Sequence, residues 1–495
     1  MKRAEARLKL RQLEIMASSG YGRHGASKTK RSTLGWFLGH GRDPDHDITD
    51  NLEILRTRSR DLFMGGGLAT GSIRTVKSNV IGPGLRLNSQ IDSEYLKMTA
   101  EEARRWERQA EREFSLWAET TDCDASKHCD FYGLQRLAFH SFLLDGDVFA
   151  LLLRKNRNEQ PYNLRIRLLA GDRVCDPPYG YRQGKDIRGG VEIDDMGAAV
   201  AYWICQAHPY TTSTNPKVLR KSREWVRYPA YGQRTGQLNV LHLMDPERID
   251  QRRGVPFLAP VIEDLKQLDR YTEAELMAAV VGGLLTVFIT QQAPGEPPFG
   301  DEPIYDDSHA IELGHGTVIS LSQGEKPEIV DPKRPNAAFD SFVTSMCRQI
   351  GSALGIPYEV LVKHFTSSYS ASRGALLEAW KFFKTWRAWF EGSFCRPIYE
   401  TWLDEAVATG RLYAPGFFDD PMVRKAYCSA IWRGPSPGQL NPVQEVTAAK
   451  IRVEEGFSTR TIEAAELTGT DWERNHHQRV AEEQARRDGK LIPSQ

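Results

Sequence analysis

The longest regular pattern in the sequence is a run of apolar residues at helical spacing that follows Pro256 and Pro260. Six apolar side chains recur at helical intervals: Leu258, Val261, Ile262, Leu265, Leu268 and Leu276. The pattern continues into the almost wholly apolar residues 278–289, so it predicts one uninterrupted helix over 257–292. Because a bilayer-spanning helix needs about 20 consecutive apolar residues, we expect no transmembrane segment.

Two more helices are predicted downstream of this run. Residues 339–354 have a helical pattern, and residues 373–408 carry eight Trp and Phe side chains at helical spacing: Trp380, Phe382, Phe383, Trp386, Trp389, Phe390, Phe394 and Trp402. We interpret the aromatic stripe as core, because a base-stacking platform needs a basic groove and this helix has five basic and five acidic residues. Pro397 is expected to kink this helix or end its first half.

The segment between the first two helices, residues 293–336, is rich in proline and glycine and has short strand-like pieces at 309–311 and 317–320. It predicts a small module inserted between two helices. Upstream, helices are expected after Asp50, over 101–117 and from 134, with strands over 148–153, 164–169, 190–193, 200–205 and 238–243. We therefore expect one α+β domain over 51–256, preceded by a basic, flexible arm over 1–50.

Charge is distributed unevenly along the chain. Lysine plus arginine and aspartate plus glutamate both number 65, so the chain as a whole is not attracted to DNA or to an acidic membrane. Residues 257–292 hold five acids and two bases, and residues 293–336 hold nine acids and three bases. Both segments should repel a phosphate backbone. By contrast, residues 363–373 offer Lys363, His364 and Arg373 among hydroxyl side chains, without an acid.

Signatures of catalysis are absent from the sequence. There is no GxxxxGK[ST], HExxH or GxSxG motif, and no GxGxxG follows a predicted strand. Cys123, His128 and Cys129 could donate to zinc but lack a fourth ligand, so a metal site there is disfavoured. Asp145 and Asp147 flank a glycine in a way that would suit a cation, although an Asx turn between helix and strand is the favoured interpretation. We expect no cofactor and no metal.

Six segments, in this order, resemble the lambda family of bacteriophage portal proteins over about residues 51–485. They are LRTRSRDL (55–62), VIGPGLRL (80–87), LQRLAFHSFLLDGDVF (134–149), HLMDPERIDQRRGVPFLAPVI (242–262), IGSALGIPYEVLVKHFTSSYSASRGALLEAWK (350–381) and NPVQEVTAAKIRVEEG (441–456). The resemblance implies the α+β portal fold, which assembles into a ring. It also implies an asparagine before Tyr369, where this chain has Ser368.

The resemblance implies a division of the chain into the parts of a portal subunit. The wing comprises residues 51–256 together with residues 373–430, which form a kinked wing helix and the remainder of the wing. The other parts are two stem helices (257–292 and 337–361), a clip (293–336), a tunnel loop (362–372) and a crown (431–495). The tunnel loop would touch DNA through Lys363, His364, Thr366, Ser367, Ser368, Tyr369 and Arg373. The clip would dock terminase and later the connector through Asp301, Glu302, Asp306, Asp307, Glu325 and Lys326.

The function implied by the resemblance is that of a non-enzymatic ring of about twelve copies at one capsid vertex. Such a ring would start capsid assembly, pass double-stranded DNA without sequence specificity, and join head to tail. Expected partners are the terminase large subunit, the major capsid and scaffold proteins and the head–tail connector, in a particle assembled in the bacterial cytoplasm. Two alternatives stay open: a metal-dependent DNA-processing enzyme that uses Asp145 and Asp147, and a monomeric scaffolding or adaptor protein.

Overall fold

The computed structural model describes residues 42–156, 160–178, 184–283, 287–291, 325–329, 338–365, 368–438 and 441–489. The helices in the first part of the chain are α1 (Pro44–Asp47), α2 (Leu52–Gly65), α3 (Gly67–Val80), α4 (Ala100–Ala118), α5 (Phe131–Asp145), α6 (Pro216–Lys221) and α7 (Ile262–Gly283). Those that follow are α8 (Phe339–Leu354), α9 (Tyr358–Leu361), α10 (Tyr369–Phe390), α11 (Arg396–Ala408), α12 (Pro421–Tyr427), α13 (Pro442–Glu454), α14 (Arg460–Thr468) and α15 (Trp472–Asp488).

The strands form small antiparallel sheets. They are β1 (Arg86–Ser89), β2 (Asp147–Arg154), β3 (Leu164–Ala170), β4 (Ile187–Arg188), β5 (Val191–Ile193), β6 (Ala199–Cys205), β7 (Trp225–Pro229), β8 (Val240–Met244), β9 (Val287–Gln291), β10 (Glu325–Ile329) and β11 (Ala430–Arg433). The sheet orders are β3-β2-β8, β4-β5-β6-β7, β1-β11 and β9-β10. Helices and sheets together confirm the α+β class.

A turn at Gly146 links α5 to the central strand β2. Gly146 has a φ of +86°, a left-handed conformation that favours glycine. A Cβ atom at this position would lie 2.5 Å from the carbonyl carbon of Val255, so the turn is also pressed against the segment that leads into α7. Glycine is therefore required here both for its backbone angle and for space.

The main core lies where α4, α5, α10 and α11 meet, and it is built from aromatic rings. Phe114 makes edge-to-face contacts with Phe131 and Trp402, and Phe139 contacts Phe390 in the same way. A second, smaller core lies between the β2 and β6 sheets around Phe149 and Tyr202. The aromatic stripe of the third predicted helix is thus largely core, as expected: Trp380, Phe383, Phe390, Phe394 and Trp402 are buried.

The prediction of an uninterrupted helix over 257–292 is wrong. A short 3-10 turn precedes α7, the helix ends at Gly283, and the chain enters the extended strand β9 by Val287. Two consecutive glycines, Gly282 and Gly283, weaken the helix end. The β-branched residues among 287–290 then favour a strand, which pairs with β10. In an almost wholly apolar run, periodicity alone does not distinguish a helix from a strand.

The third predicted helix starts earlier than expected and is divided. The structure begins α10 at Tyr369, four residues before Arg373. A π-helical turn over Glu391–Cys395 separates α10 from α11, and Pro397 lies in the first turn of α11, where a proline is tolerated. The first half of the predicted helix therefore ends at the π-helical turn, just before Pro397.

Most side chains of the C-terminal helices α13, α14 and α15 are exposed or half-buried. Among described residues 441–489, Ala449 and Glu463 are the buried side chains. The strand β11 that precedes them pairs with β1, so the boundary at residue 431 falls inside a strand. No helix in the described ranges has the length and apolar character needed to cross a membrane.

Candidate functional site

The loop between α9 and α10 begins with a lysine in an unusual conformation. Lys363 has a φ of 57°, in the left-handed region that glycine adopts more readily. The next residue, His364, donates its backbone N–H to the carbonyl oxygen of Glu359 at 3.0 Å, which closes the end of α9. The left-handed Lys363 thus marks the end of the α9 turn and the start of the loop.

The far end of the loop is fixed by a serine cap. The Oγ atom of Ser368 accepts a hydrogen bond from the backbone N–H of Ala371 at 3.4 Å, so the loop ends at Ser368 rather than at Ser372 as predicted. Serine caps a helix as well as asparagine does, which explains why Ser368 can occupy a position where the resemblance implies asparagine. Arg373 therefore projects from the first turns of α10 instead of following a loop.

The predicted contact residues divide into three groups. Lys363, His364, Ser368 and Arg373 are exposed. Tyr369 starts α10, but its side chain is not among those the structure describes, and Thr366 and Ser367 lie outside the described residues. Neither Lys363 nor Arg373 forms an ion pair within the described part of the chain, so both cations are available to an external anion.

The helices α7 and α8 pack side by side and precede this loop. The Tyr271 ring contacts Phe339 and Phe342 at centroid distances of 5.7 and 4.7 Å. At one end of the pair, Leu265, Leu268, Ile350 and Leu354 are buried. Toward the end of α7 the apolar side chains are exposed instead: Leu276, Met277 and Val280. Exposed acids, including Glu263 and Glu273, lie on the same helix.

The docking residues predicted in the inserted module fall into two groups. Asp301, Glu302, Asp306 and Asp307 lie outside the described residues. Glu325 and Lys326 begin β10, where their backbones pair with Gln291 and Thr290 of β9. A strand pair at the base of the module is thus described, and the docking role of its side chains stays a prediction.

The carboxylate of Asp147 is enclosed by arginines. It is fully buried and accepts hydrogen bonds from Arg56 Nη2 at 2.7 Å and Arg253 Nε at 2.6 Å. His242 Nε2 lies 3.4 Å away. Although burial favours the neutral acid, Arg253 and Arg56 hold the pKa of Asp147 well below its usual range. We call Arg56, Arg60, Asp145, Asp147, Asp172, His242 and Arg253 the wing ion cluster.

Asp145 belongs to the same cluster, and its predicted role was wrong. Its Oδ1 atom accepts from Arg60 Nε at 2.7 Å, and Arg60 also contacts Asp172 at 2.6 Å. The turn from helix to strand is made by the left-handed Gly146, not by an Asx turn. Because arginines occupy both carboxylates, these residues have no free oxygen pair to offer a catalytic cation.

The cysteine-rich loop over 123–129 is also held by its own hydrogen bonds. Asp124 accepts from the backbone N–H groups of Ser126 and His128, both at 2.9 Å, and Cys123 Sγ contacts the carbonyl oxygen of Thr120. Across the described ranges, no group of three or more His, Cys, Asp or Glu side chains is arranged to hold a metal ion.

The buried histidine of the wing ion cluster predicts a pH effect on stability. Burial lowers the pKa of His242 although Asp147 opposes this, so below about pH 6.5 the unfolded chain binds a proton that the folded chain does not. The free energy of unfolding should therefore fall with decreasing pH through this group, by at most about 1.4 kcal/mol per pH unit. Urea unfolding at pH 7, 6 and 5 should show a smaller fall for His242→Gln. Parallel curves for the two chains would contradict the assignment.

The geometry above agrees with a match over most of the chain: residues 29–387 fit the sequence profile described as "Phage portal protein, lambda family". The chain belongs to the lambda family of phage portal proteins. Among curated relatives, portal protein B of Escherichia phage lambda is 24% identical over 475 residues, covering 91% of this chain and 87% of that protein. A probable portal protein of Halomonas phage phiHAP-1 is 27% identical over 419 residues, covering 83% and 76%.

The solved structures similar to this portal chain include the neck of a native gene transfer agent particle, computed with C12 symmetry. That likeness has a TM-score of 0.43 and 12% identity, and it covers 85% of this chain and 94% of the other. Portal proteins are structural and not enzymatic, which removes support for a metal-dependent enzyme built on Asp145 and Asp147. Nothing in the relatives favours a monomeric adaptor.

The wing ion cluster was not recognised in the sequence. Arg253 and Asp147 are 106 residues apart, and Arg56 and Asp147 are 91 apart. Charged residues within otherwise apolar segments, such as Asp147 at the start of β2, were the available signal, because a charge at a buried strand end requires a partner.

Proposed function

We propose that this portal chain forms a ring of about twelve copies at one capsid vertex, through which double-stranded DNA enters and leaves the particle. The observation that carries the proposal is the family match over residues 29–387. A closed ring requires two different, complementary faces on every subunit. The exposed apolar side chains of α7 and of the crown helices, such as Leu276 and Val446, are suited to these contacts.

The charge pattern supports a conduit that does not hold its cargo. Each phosphate neutralised by the protein adds to salt-dependent affinity, and this effect multiplies around a ring. Exposed acids on α7, including Glu263 and Glu273, would keep the duplex mobile. The loop after α9 would make light backbone contacts through Lys363 and Arg373, without contacts to base edges.

The remaining partners follow from the same proposal. Terminase large subunit would dock on the clip, residues 293–336, and the head–tail connector would later use the same surface. The major capsid and scaffold proteins would contact the ring during capsid assembly. Assembly would take place in the cytoplasm of the host bacterium.

A substitution at Lys363 separates the DNA contact from folding. Glycine tolerates the left-handed backbone at this position, so Lys363→Gly should leave stability within about 1 kcal/mol of the original. We expect its rings to bind a 30-base-pair duplex several-fold more weakly at low salt, measured by fluorescence polarisation, because one cation per subunit is removed.

The matched control for this prediction is Lys363→Arg, which keeps the charge and should keep the affinity. Ring formation is checked in parallel by mass photometry and negative-stain electron microscopy. Equal DNA affinity for the glycine and arginine variants would remove Lys363 from the interface, and absence of rings from the original chain would count against the portal proposal itself.

A further inference from the structure

A second group of basic side chains lies on the adjoining helices α3 and α5. Arg74 and Lys77 are one turn apart on α3, and Arg136 and His140 are one turn apart on α5. Arg74 is exposed, and the other three are half-buried. We call these four residues the wing basic patch.

The wing basic patch is held in place by the connection between its two helices. The side chain of Gln135 pairs with the backbone of Leu85 through bonds of 2.6 and 3.0 Å. Arg136 Nη1 donates to the carbonyl oxygen of Pro83 at 2.6 Å, and the His140 ring lies edge-on to Phe63 at 5.0 Å. These contacts fix Arg136 and His140, the two members of the patch on α5.

The patch lacks neutralising acids. Residues 67–84 and 131–144 contain no aspartate or glutamate. Within the described ranges, neither Arg74 nor Lys77 has an ion-pair partner. Burial, Arg74 and Arg136 lower the pKa of Lys77, and burial, Lys77 and Arg74 lower the pKa of His140. Like charges have thus been brought together without compensation, which is unfavourable unless an external anion approaches.

The position of α3 indicates which anion this is. Besides α5, α3 packs against α9 and α10, the two helices that flank the loop with Lys363. The helix that carries Arg74 and Lys77 therefore also contacts both helices that flank the loop. A phosphate backbone at the loop would pass near this helix.

We propose that the wing basic patch binds the phosphate backbone of double-stranded DNA. This inference rests on the proposed conduit function and adds to it a contact outside the loop. Arg74 and Lys77 would bind phosphate oxygens directly, and Arg136, anchored on Pro83, would add to the local potential. Because only phosphates are contacted, binding is independent of sequence and sensitive to salt.

The test uses assembled rings of the full chain and a 30-base-pair duplex. For Arg74→Gln/Lys77→Gln we expect at least tenfold weaker binding at 100 mM salt. The slope of log affinity against log salt should become shallower by about 0.9 for each phosphate that the variant no longer neutralises. The matched control is Arg105→Gln/Arg108→Gln, two exposed cations at the same spacing on α4, where Arg105 lies 3.7 Å from Glu101. It should change both quantities little.

Each outcome of this test decides the inference. If Arg74→Gln/Lys77→Gln forms rings that bind DNA with unchanged affinity and unchanged salt slope, the inference is overturned. Weaker binding by Lys363→Gly in the same series would then show that the loop contacts DNA although the patch does not. Failure of Arg74→Gln/Lys77→Gln to form rings, while the control still forms them, would overturn it in favour of a contact between subunits. Rings of the original chain that bind no duplex would overturn both the patch and the proposed DNA contact of the loop.

Discussion

Replacing Asp147 by asparagine should destabilise the folded chain by about 3–5 kcal/mol, the usual effect of removing one partner of a buried ion pair. The substitution leaves Arg56 and Arg253 buried without their shared carboxylate, since both guanidinium groups lie within 2.7 Å of Asp147 oxygens. Asparagine keeps the shape of the side chain, so the loss of stability reports on charge and not on packing. Urea unfolding of the purified chain, followed by circular dichroism, measures it.

The control for this prediction is Asp194→Asn. Asp194 caps an exposed turn by accepting from the backbone N–H groups of Met196 and Ala198, both at 2.9 Å, and asparagine can accept the same bonds. We expect a change below about 0.5 kcal/mol for this variant. Similar destabilisation of the two variants would show that the wing ion cluster contributes no more to the free energy of unfolding than a surface turn does.

The second large effect is expected on assembly. Leu276 and Val280 lie one turn apart on α7 and are 65% and 52% exposed in the isolated subunit. If neighbouring subunits cover them, Leu276→Asp/Val280→Asp places two charges in an apolar contact and should abolish rings. Mass photometry should then show the 56.0 kDa chain alone. Because both side chains are exposed in the subunit, its unfolding free energy should change little.

Met196→Asp provides the comparison for assembly. Met196 is 91% exposed, more than either α7 residue, but it stands in a polar turn after Asp194. This variant should still form rings. Intact rings in the α7 double variant would exclude this part of α7 as a contact between subunits, and absence of rings in both variants would indicate a general effect of added charge.

The sequence predicts local structure well where one signal dominates. In α4, Trp106, Phe114 and Trp117 mark the buried stripe, and Thr99 with Glu102 forms a capping box at its start. Not all the charged side chains of this helix are at the surface, however. Glu111 is half-buried because it accepts from the backbone N–H of Ser89 at 2.8 Å. Contacts of this kind join residues distant in sequence, and periodicity does not report them.

The candidate site was predictable in part for the same reason. The acid-free composition around Lys363 and Arg373 is visible in the sequence, and both side chains are exposed. The early start of α10 at Tyr369 depends on which of several hydroxyl residues becomes the helix cap, and Ser368 is one of four serines between 367 and 372. Local propensity does not rank such candidates, since any of them can cap a helix.

The anchoring of Arg253 has a mechanical consequence for the helix that follows it. Arg253 and the Gly254 backbone bind Asp147, and the Phe257 N–H donates to the carbonyl oxygen of Leu143 at 2.9 Å, all within ten residues of the start of α7. The start of α7 is therefore held against β2 and α5. In the proposed ring, a force on α7 would pass through these contacts, so the wing ion cluster would resist displacement of the helix.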